Sequence, residues 1–359
     1  MEVTSMWPRT DFIELLGITH PIVQAPMSGF TPPALAAAVC NAGGLGSIGC
    51  AGQAAAVVRD QVAALRQATN RPYNLNFFVH ARPQQDPLAA ERMRRRLAPY
   101  FEEFGLGPVP DPKEPFPSFD DDQLALVLDL RPRVVSFHFG LPSTAAIRRI
   151  KEAGCLVFSS ATTVAEARAL ETQGADVVIA QGFEAGGHRG SFSGSAGAGL
   201  VGTIALVPQI VDAVRVPVVA AGGIADGRGL AAAFALGASG AQLGTAFLGS
   251  PEATVAPLHR AQLRTAADDG TELTRAFTGR PARALRNRFV TEMADCEPLP
   301  FPLQASLVGP LRQSASEEVS AAFTPFWAGQ AAPLVREIPA GQLVERLVSE
   351  AQSILGRSL

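Results

Sequence analysis

The sequence predicts an α/β fold, a (β/α)8 barrel of the TIM type with a smaller helical subdomain near the carboxy terminus, and three observations predict it. Short apolar runs alternate with amphipathic helical segments, the pattern of βαβ units whose parallel strands are covered on both faces. Eight such runs can be counted. The last two end at Gly222-Gly223 and Gly244-Thr245, and the turns after the seventh and eighth strands are where barrels build phosphate sites.

The strands are expected at Ile22–Ala25, Gly46–Gly49, Tyr73–Val79, Val134–His138, Leu156–Ser159, Val177–Gln181, Val218–Ala221 and Ala241–Gly244. Helices are expected at 32–42, 53–69, 123–130, 143–153, 163–173, 203–214, 227–237 and about 252–267. Several open on Ser, Thr, Asp or Pro and close on Gly, as Ser143 to Gly154 and Thr163 to Gly174 do, which is helix-cap chemistry. An open doubly wound sheet is the alternative architecture. Its dinucleotide signature needs a strand first, whereas Gly44-Leu-Gly-Ser-Ile-Gly49 precedes and enters one.

Two stretches break the period. Residues 81–121, rich in Pro and charge, read as an insertion after the third strand, and 268–342 as an addition with its own helices. The expected organisation is a barrel over 1–267, a substrate-covering subdomain over 268–342, and a last helix at 343–359 that can return to complete the barrel. Both irregular stretches can cover the active face, which lies at the carboxyl ends of barrel strands.

With 47% hydrophobic and 18% charged residues over 359 positions, the chain can build a large core. A net charge of -3 argues against a nucleic-acid partner. No apolar run approaches the ~20 residues of a membrane span. Four scattered cysteines, no Cys-x-x-Cys pair and no signal-peptide start predict a reducing, cytoplasmic setting. A monomer or homodimer is expected.

The chemistry concentrates in three glycine-rich segments. Val216-Pro-Val-Val-Ala-Ala-Gly-Gly-Ile-Ala-Asp-Gly is a strand running into Gly222-Gly223 and a helix, and two glycines let backbone amides approach a phosphate. Gly240-Ala-Gln-Leu-Gly-Thr supplies the second turn. Gln181-Gly-Phe-Glu-Ala-Gly-Gly-His-Arg-Gly leaves the sixth strand as a small-residue loop suited to close passage over a flat ligand.

Among five histidines, His138 ends the fourth strand and can point into the barrel mouth as an acid–base group, while His188 in the glycine loop suits hydrogen bonding to a ligand. His20, His80 and His259 have no comparable context, and no pair has metal-ligand spacing, so no metal is expected. Cys40, Cys50 and Cys155 read as packed small residues.

Taken together, Pro21-Ile-Val-Gln-Ala-Pro-Met-Ser-Gly, Ser136-Phe-His-Phe-Gly-Leu-Pro, Gln181-Gly-Phe-Glu-Ala-Gly-Gly-His, Ala220-Ala-Gly-Gly-Ile-Ala-Asp-Gly and Gln242-Leu-Gly-Thr-Ala-Phe-Leu resemble the nitronate monooxygenases, formerly 2-nitropropane dioxygenases. The resemblance implies non-covalent FMN and oxidation of an alkyl nitronate by molecular oxygen to a carbonyl compound and nitrite. It places Ala25, Pro26 and Met27 along the isoalloxazine and Asn76 and Gln181 at its polar edge or ribityl chain. Gly186, Gly187, Gly222, Gly223, Gln242, Gly244 and Thr245 would complete the ribityl and phosphate site. His138 matches the family's active-site histidine, either as a base for neutral nitroalkanes or as a partner of the nitronate; the sequence leaves both open.

Where bacterial members often carry tyrosines, this chain has Phe301 and Phe326 beside Trp327, so an apolar substrate pocket lined by His188, Phe301 and Phe326 is expected. The rival activity is an NADH- and FMN-dependent enoyl-thioester (enoyl-ACP) reductase, whose members tend to place Arg where Ala246 follows Gly244-Thr245 here. A third class, an isomerase or dehydrogenase barrel, would need a nucleophilic cysteine, with Cys50 the formal candidate.

Overall fold

The computed structural model describes residues 7–114, 117–193, 199–313 and 321–356. The expectations for the middle of the glycine loop and for 357–359 therefore lie partly outside the described residues. Eight parallel strands form one sheet: β1 (Ile22–Gln24), β2 (Gly46–Gly49), β3 (Tyr73–Phe78), β4 (Val134–His138), β5 (Leu156–Ala161), β6 (Val177–Gln181), β8 (Val218–Ala221) and β9 (Gly240–Leu243). From β2 onward each pairs with the next in chain order, and β9 pairs back with β1. The ring closes where Leu45 donates to the Ile22 carbonyl and accepts from Gln24. The sheet is therefore a barrel, and the open-sheet alternative falls.

Side chains alternate across each strand, and here the alternation separates chemistry from packing. Leu75, Phe77, Val135, Phe137 and Val157 face outward onto the helices. Inside, Val134, Phe158, Val177, Ile179 and Val219 make an apolar floor with Phe12 and Leu16 of the helix Asp11–Leu16. Above that floor the interior turns polar, with Asn76, Ser136, His138, Ser160 and Gln181 at the carboxyl ends of the strands.

The insertion is built on a helix, Pro87–Glu103, whose N-terminus is capped by the Asp86 carboxylate accepting from Leu88 and Ala89. Met93, Leu97, Tyr100 and Phe101 on its buried face pack against Phe277, Phe289, Leu307 and Phe323 of the carboxy-terminal addition. That addition is more than helices. An antiparallel pair, β10 (Thr271–Thr274) and β11 (Ala282–Leu285), continues onto β7 (Gly187–His188), with His188 opposite Ala282. The glycine loop is thereby stitched to the addition.

After β9 the chain forms a short helix, Thr245–Leu248, and then Pro257–Arg264, where one helix at 252–267 is expected. Neither fills the outer layer beside helices 33–41 and 227–235. Helix Ala340–Leu355 does, burying Leu343, Val344, Leu347 and Val348, while Glu350 accepts from the Gly227 N–H at 3.0 Å. Among the described residues no helix is long and apolar enough to cross a membrane.

Leu347 is fully buried on this returning helix. We predict that Leu347→Ala costs about 2–5 kcal/mol by leaving a cavity between helix and barrel. Urea unfolding checks it: a midpoint matching wild type would mean that the last helix is not integral to the barrel.

Candidate active site

The polar ends of the strands open into a cavity of about 350 Å³, large enough for a mononucleotide ring system beside a small substrate. Ala25, Pro26, Met27, Asn76, Gln181, Gly186, Gly187, Gly222, Gly223, Gln242, Gly244 and Thr245, the residues assigned to a cofactor, all line it, as do His138 and His188. Phe301 and Phe326 are not among its lining residues. Phe301 stands behind His188, ring centroids 5.6 Å apart, and Phe326 is buried against His259. Trp327, Thr278, Ala305 and Arg312 bring the addition to the cavity instead.

The glycine turns fit a phosphate. Gly222 and Gly223 have φ of +111° and +72°, the region that a side chain rarely adopts, so the backbone there turns sharply without a Cβ in the way. Thr245 Oγ1 accepts from the Gly329 N–H at 2.9 Å, which leaves its own proton free to donate. Gln242 Oε1 is buried with no hydrogen-bond partner among the described residues. A buried orphan acceptor beside a glycine cradle calls for a ligand that donates to it.

Gln181 is used differently from a ligand-edge group: its Nε2 donates to the His188 carbonyl at 3.0 Å and its Oε1 accepts from Gly190 at 2.7 Å, so both ends of the amide hold the loop. Asn76 spends its Nδ2 on Ser136 Oγ at 2.9 Å.

His138 Nε2 lies 3.0 Å from the same His188 carbonyl, which can only accept, so Nε2 carries the proton. Nδ1, 3.0 Å from Ser160 Oγ, then accepts from that hydroxyl. Both nitrogens of His138 are occupied by protein. His188 differs: its Nε2 lies 3.0 Å from Thr278 Oγ1, while Nδ1 has no partner among the described residues. Next to His138 the backbone is strained, with Phe139 at φ +74° and the Arg280 guanidinium 3.8 Å from its ring centroid.

The loop that carries His188 is gripped by buried charge. Arg189 donates to the carbonyls of Gln181 and Gly199 at 3.0 and 2.8 Å and to that of Gly182. Glu166 accepts from the Phe192 and Ser193 amides at 2.8 and 3.0 Å. Glu184 accepts from the Thr203 amide and hydroxyl. Sequence reasoning passed over Glu166, Arg189, Ser160, Thr278 and Arg312. An Arg set among glycines was the only local signal. Cys50 is buried, does not line the cavity, and has its thiol pushed up to about 12, which removes the cysteine-nucleophile reading.

Burial holds the imidazoles neutral: His138 is lowered to about 4, chiefly by desolvation, and His188 to about 3, by desolvation and then by His138 and Arg280. The unfolded chain binds these protons near pH 6.5 and the folded one only below about 4. Stability is therefore full above pH 6.5 and falls as the pH drops towards 4. We predict a falling melting temperature over that window, with a shallower slope for His188→Gln; identical slopes would mean that His188 is not held neutral by the fold.

The comparisons agree with this geometry. A family model described as nitronate monooxygenase matches residues 9–350. A nitronate monooxygenase of Paraburkholderia phytofirmans is 42% identical over 353 residues, covering 97% of this chain and 96% of that protein. Of solved structures, the nitroalkane oxidase from Streptomyces ansochromogenes superposes with a TM-score of 0.88 at 42% identity, covering 96% of this chain and 99% of that one. FabK from Thermotoga maritima superposes at 0.76 with 34% identity, covering 98% of each chain. Matched along nearly its whole length by sequence and by structure, the chain belongs to the nitronate monooxygenase family of oxidoreductases.

Proposed function

We propose that the chain oxidises anionic alkyl nitronates, with FMN as cofactor and molecular oxygen as oxidant, to a carbonyl compound and nitrite. The observation that carries this reading is one cavity joining a glycine cradle for a phosphate to two neutral imidazoles. Gly222-Gly223 and Gly244-Thr245 would hold the phosphate, Gln242 Oε1 would accept from the ribityl chain or ring edge, and Ala25, Pro26 and Met27 would flank the isoalloxazine. Bound there, the flavin supplies the two-electron redox centre.

The chain's own residues do the rest. His188 lines the cavity and keeps Nδ1 clear of partners among the described residues, whereas His138, saturated by Ser160 and the His188 carbonyl, braces the loop. The reacting contact is therefore assigned to His188 and the bracing to His138. Arg312 is exposed yet lines the cavity, so it sits at the opening, and it forms no ion pair among the described residues. A guanidinium there suits an anionic substrate better than the apolar pocket that Phe301 and Phe326 suggest.

One glycine cradle for a phosphate among the described residues supports FMN over a dinucleotide. The reductase reading, favoured by the likeness to FabK, lacks support at Ala246, which is buried and can offer no cation to a second nucleotide.

Anaerobic titration of the FMN-loaded protein tests the proposal. We predict that a nitronate bleaches the flavin and NADH does not; bleaching by NADH alone would move the chain to the reductases. Arg312→Ala is expected to raise KM for nitronates about tenfold, equivalent to roughly 1.4 kcal/mol, with the effect shrinking at high salt. An unchanged KM would place the substrate away from the opening.

A further inference from the structure

Thr278 lies in the carboxy-terminal addition, buried, with its hydroxyl turned to His188 Nε2 at 3.0 Å. A threonine hydroxyl has one proton to give and two lone pairs. Three groups meet it. The Arg280 N–H, 3.4 Å away, can only donate; the Arg280 carbonyl, also 3.4 Å away, can only accept; the third is Nε2. Giving the proton to the carbonyl and accepting from the N–H leaves one lone pair, and that lone pair faces Nε2. Every contact is satisfied only if Nε2 carries a proton. The reverse assignment, with the hydroxyl donating to Nε2, strands the Arg280 carbonyl contact.

Resting on the function proposed above, we propose that Thr278 is the positioning residue that holds His188 as its Nε2–H tautomer, so that an unprotonated Nδ1 faces the cavity and removes the α-proton of neutral nitroalkanes. In that step the α-carbon–hydrogen bond breaks and a bond forms between the proton and Nδ1. The freed electron pair becomes the carbon–nitrogen double bond of the nitronate, whose charge moves onto the nitro oxygens. The enzyme thus makes its own nitronate. Burial penalises a lone imidazolium, but this one forms in contact with the new anion, and the attraction between them offsets the penalty. His138 cannot share the task, since its Nε2–H is committed to the His188 carbonyl and its Nδ1 to Ser160.

The test combines a spectroscopic readout with kinetics on FMN-loaded enzyme. In 15N-histidine-labelled protein near neutral pH, the His188 resonances, assigned by their loss in His188→Gln, should show a bare Nδ1 and a protonated Nε2. Thr278→Val should mix the tautomers and lower the ratio of kcat/KM on nitroethane to that on ethyl nitronate about 10²-fold, the low end of what general-base help supplies. Thr278→Ser should restore both. A protonated Nδ1 in the wild type, or a ratio that Thr278→Val does not move, overturns the proposal; if Thr278→Val does not fold, the wild-type spectrum and the serine variant decide it. Wild-type enzyme inert towards both compounds would instead overturn the proposed function, and the tautomer would still decide the role of Thr278.

Discussion

Glu166 is completely buried, and its carboxylate accepts hydrogen bonds from the amide and hydroxyl of Thr162 on one oxygen and from Phe192 and Ser193 on the other. A buried carboxylate is tolerable only when so many donors meet it. It ties the far end of the glycine loop to the helix after β5. Arg189 ties the near end by filling three backbone carbonyls, and β11 pairs with Gly187 and His188 from outside. A loop of small residues would otherwise wander. Held this way, it presents the cavity wall, the His188 ring and the His188 carbonyl at fixed positions, and the rest of the site is referred to them.

The same grip explains how two histidines can differ so much. The His188 carbonyl is a shared acceptor for Gln181 and His138, which puts the His138 proton on Nε2, and Ser160 takes the other nitrogen. His188 itself leans on Thr278 from the addition, so the addition reaches the cavity wall and does not merely cover it. Gly186 marks how tightly the two parts meet: a Cβ there would lie 2.5 Å from the Gly329 nitrogen.

Much of the fold was legible because its signals are local. The strand ends at Gly49, His138, Gln181 and Ala221 follow from apolar runs stopped by glycine or polar residues, and the period of two along Asn74-Leu75-Asn76-Phe77 separates the polar interior from the outer packing. The cavity-lining glycines announce themselves by turn chemistry. What was not legible depends on contacts between distant segments. Nothing near Thr278 in sequence points to His188, 90 residues away, and nothing near His138 says that its nitrogens are taken by Ser160 and a loop carbonyl 50 residues on. The apolar pocket expected from Phe301 and Phe326 missed because in a non-periodic addition neighbours in sequence face different ways: Phe326 enters the core while Trp327 reaches the cavity.

The dependence of the site on the loop's buried grip can be measured through Glu166→Gln. The amide keeps the size of the side chain but turns an N–H2 group towards N–H donors, so one end of the grip must open. FMN affinity, measured by titrating the apoprotein, should fall at least tenfold while far-ultraviolet circular dichroism keeps the barrel signature. Wild-type FMN affinity in Glu166→Gln would contradict the account, since the loop would then hold its place without the carboxylate.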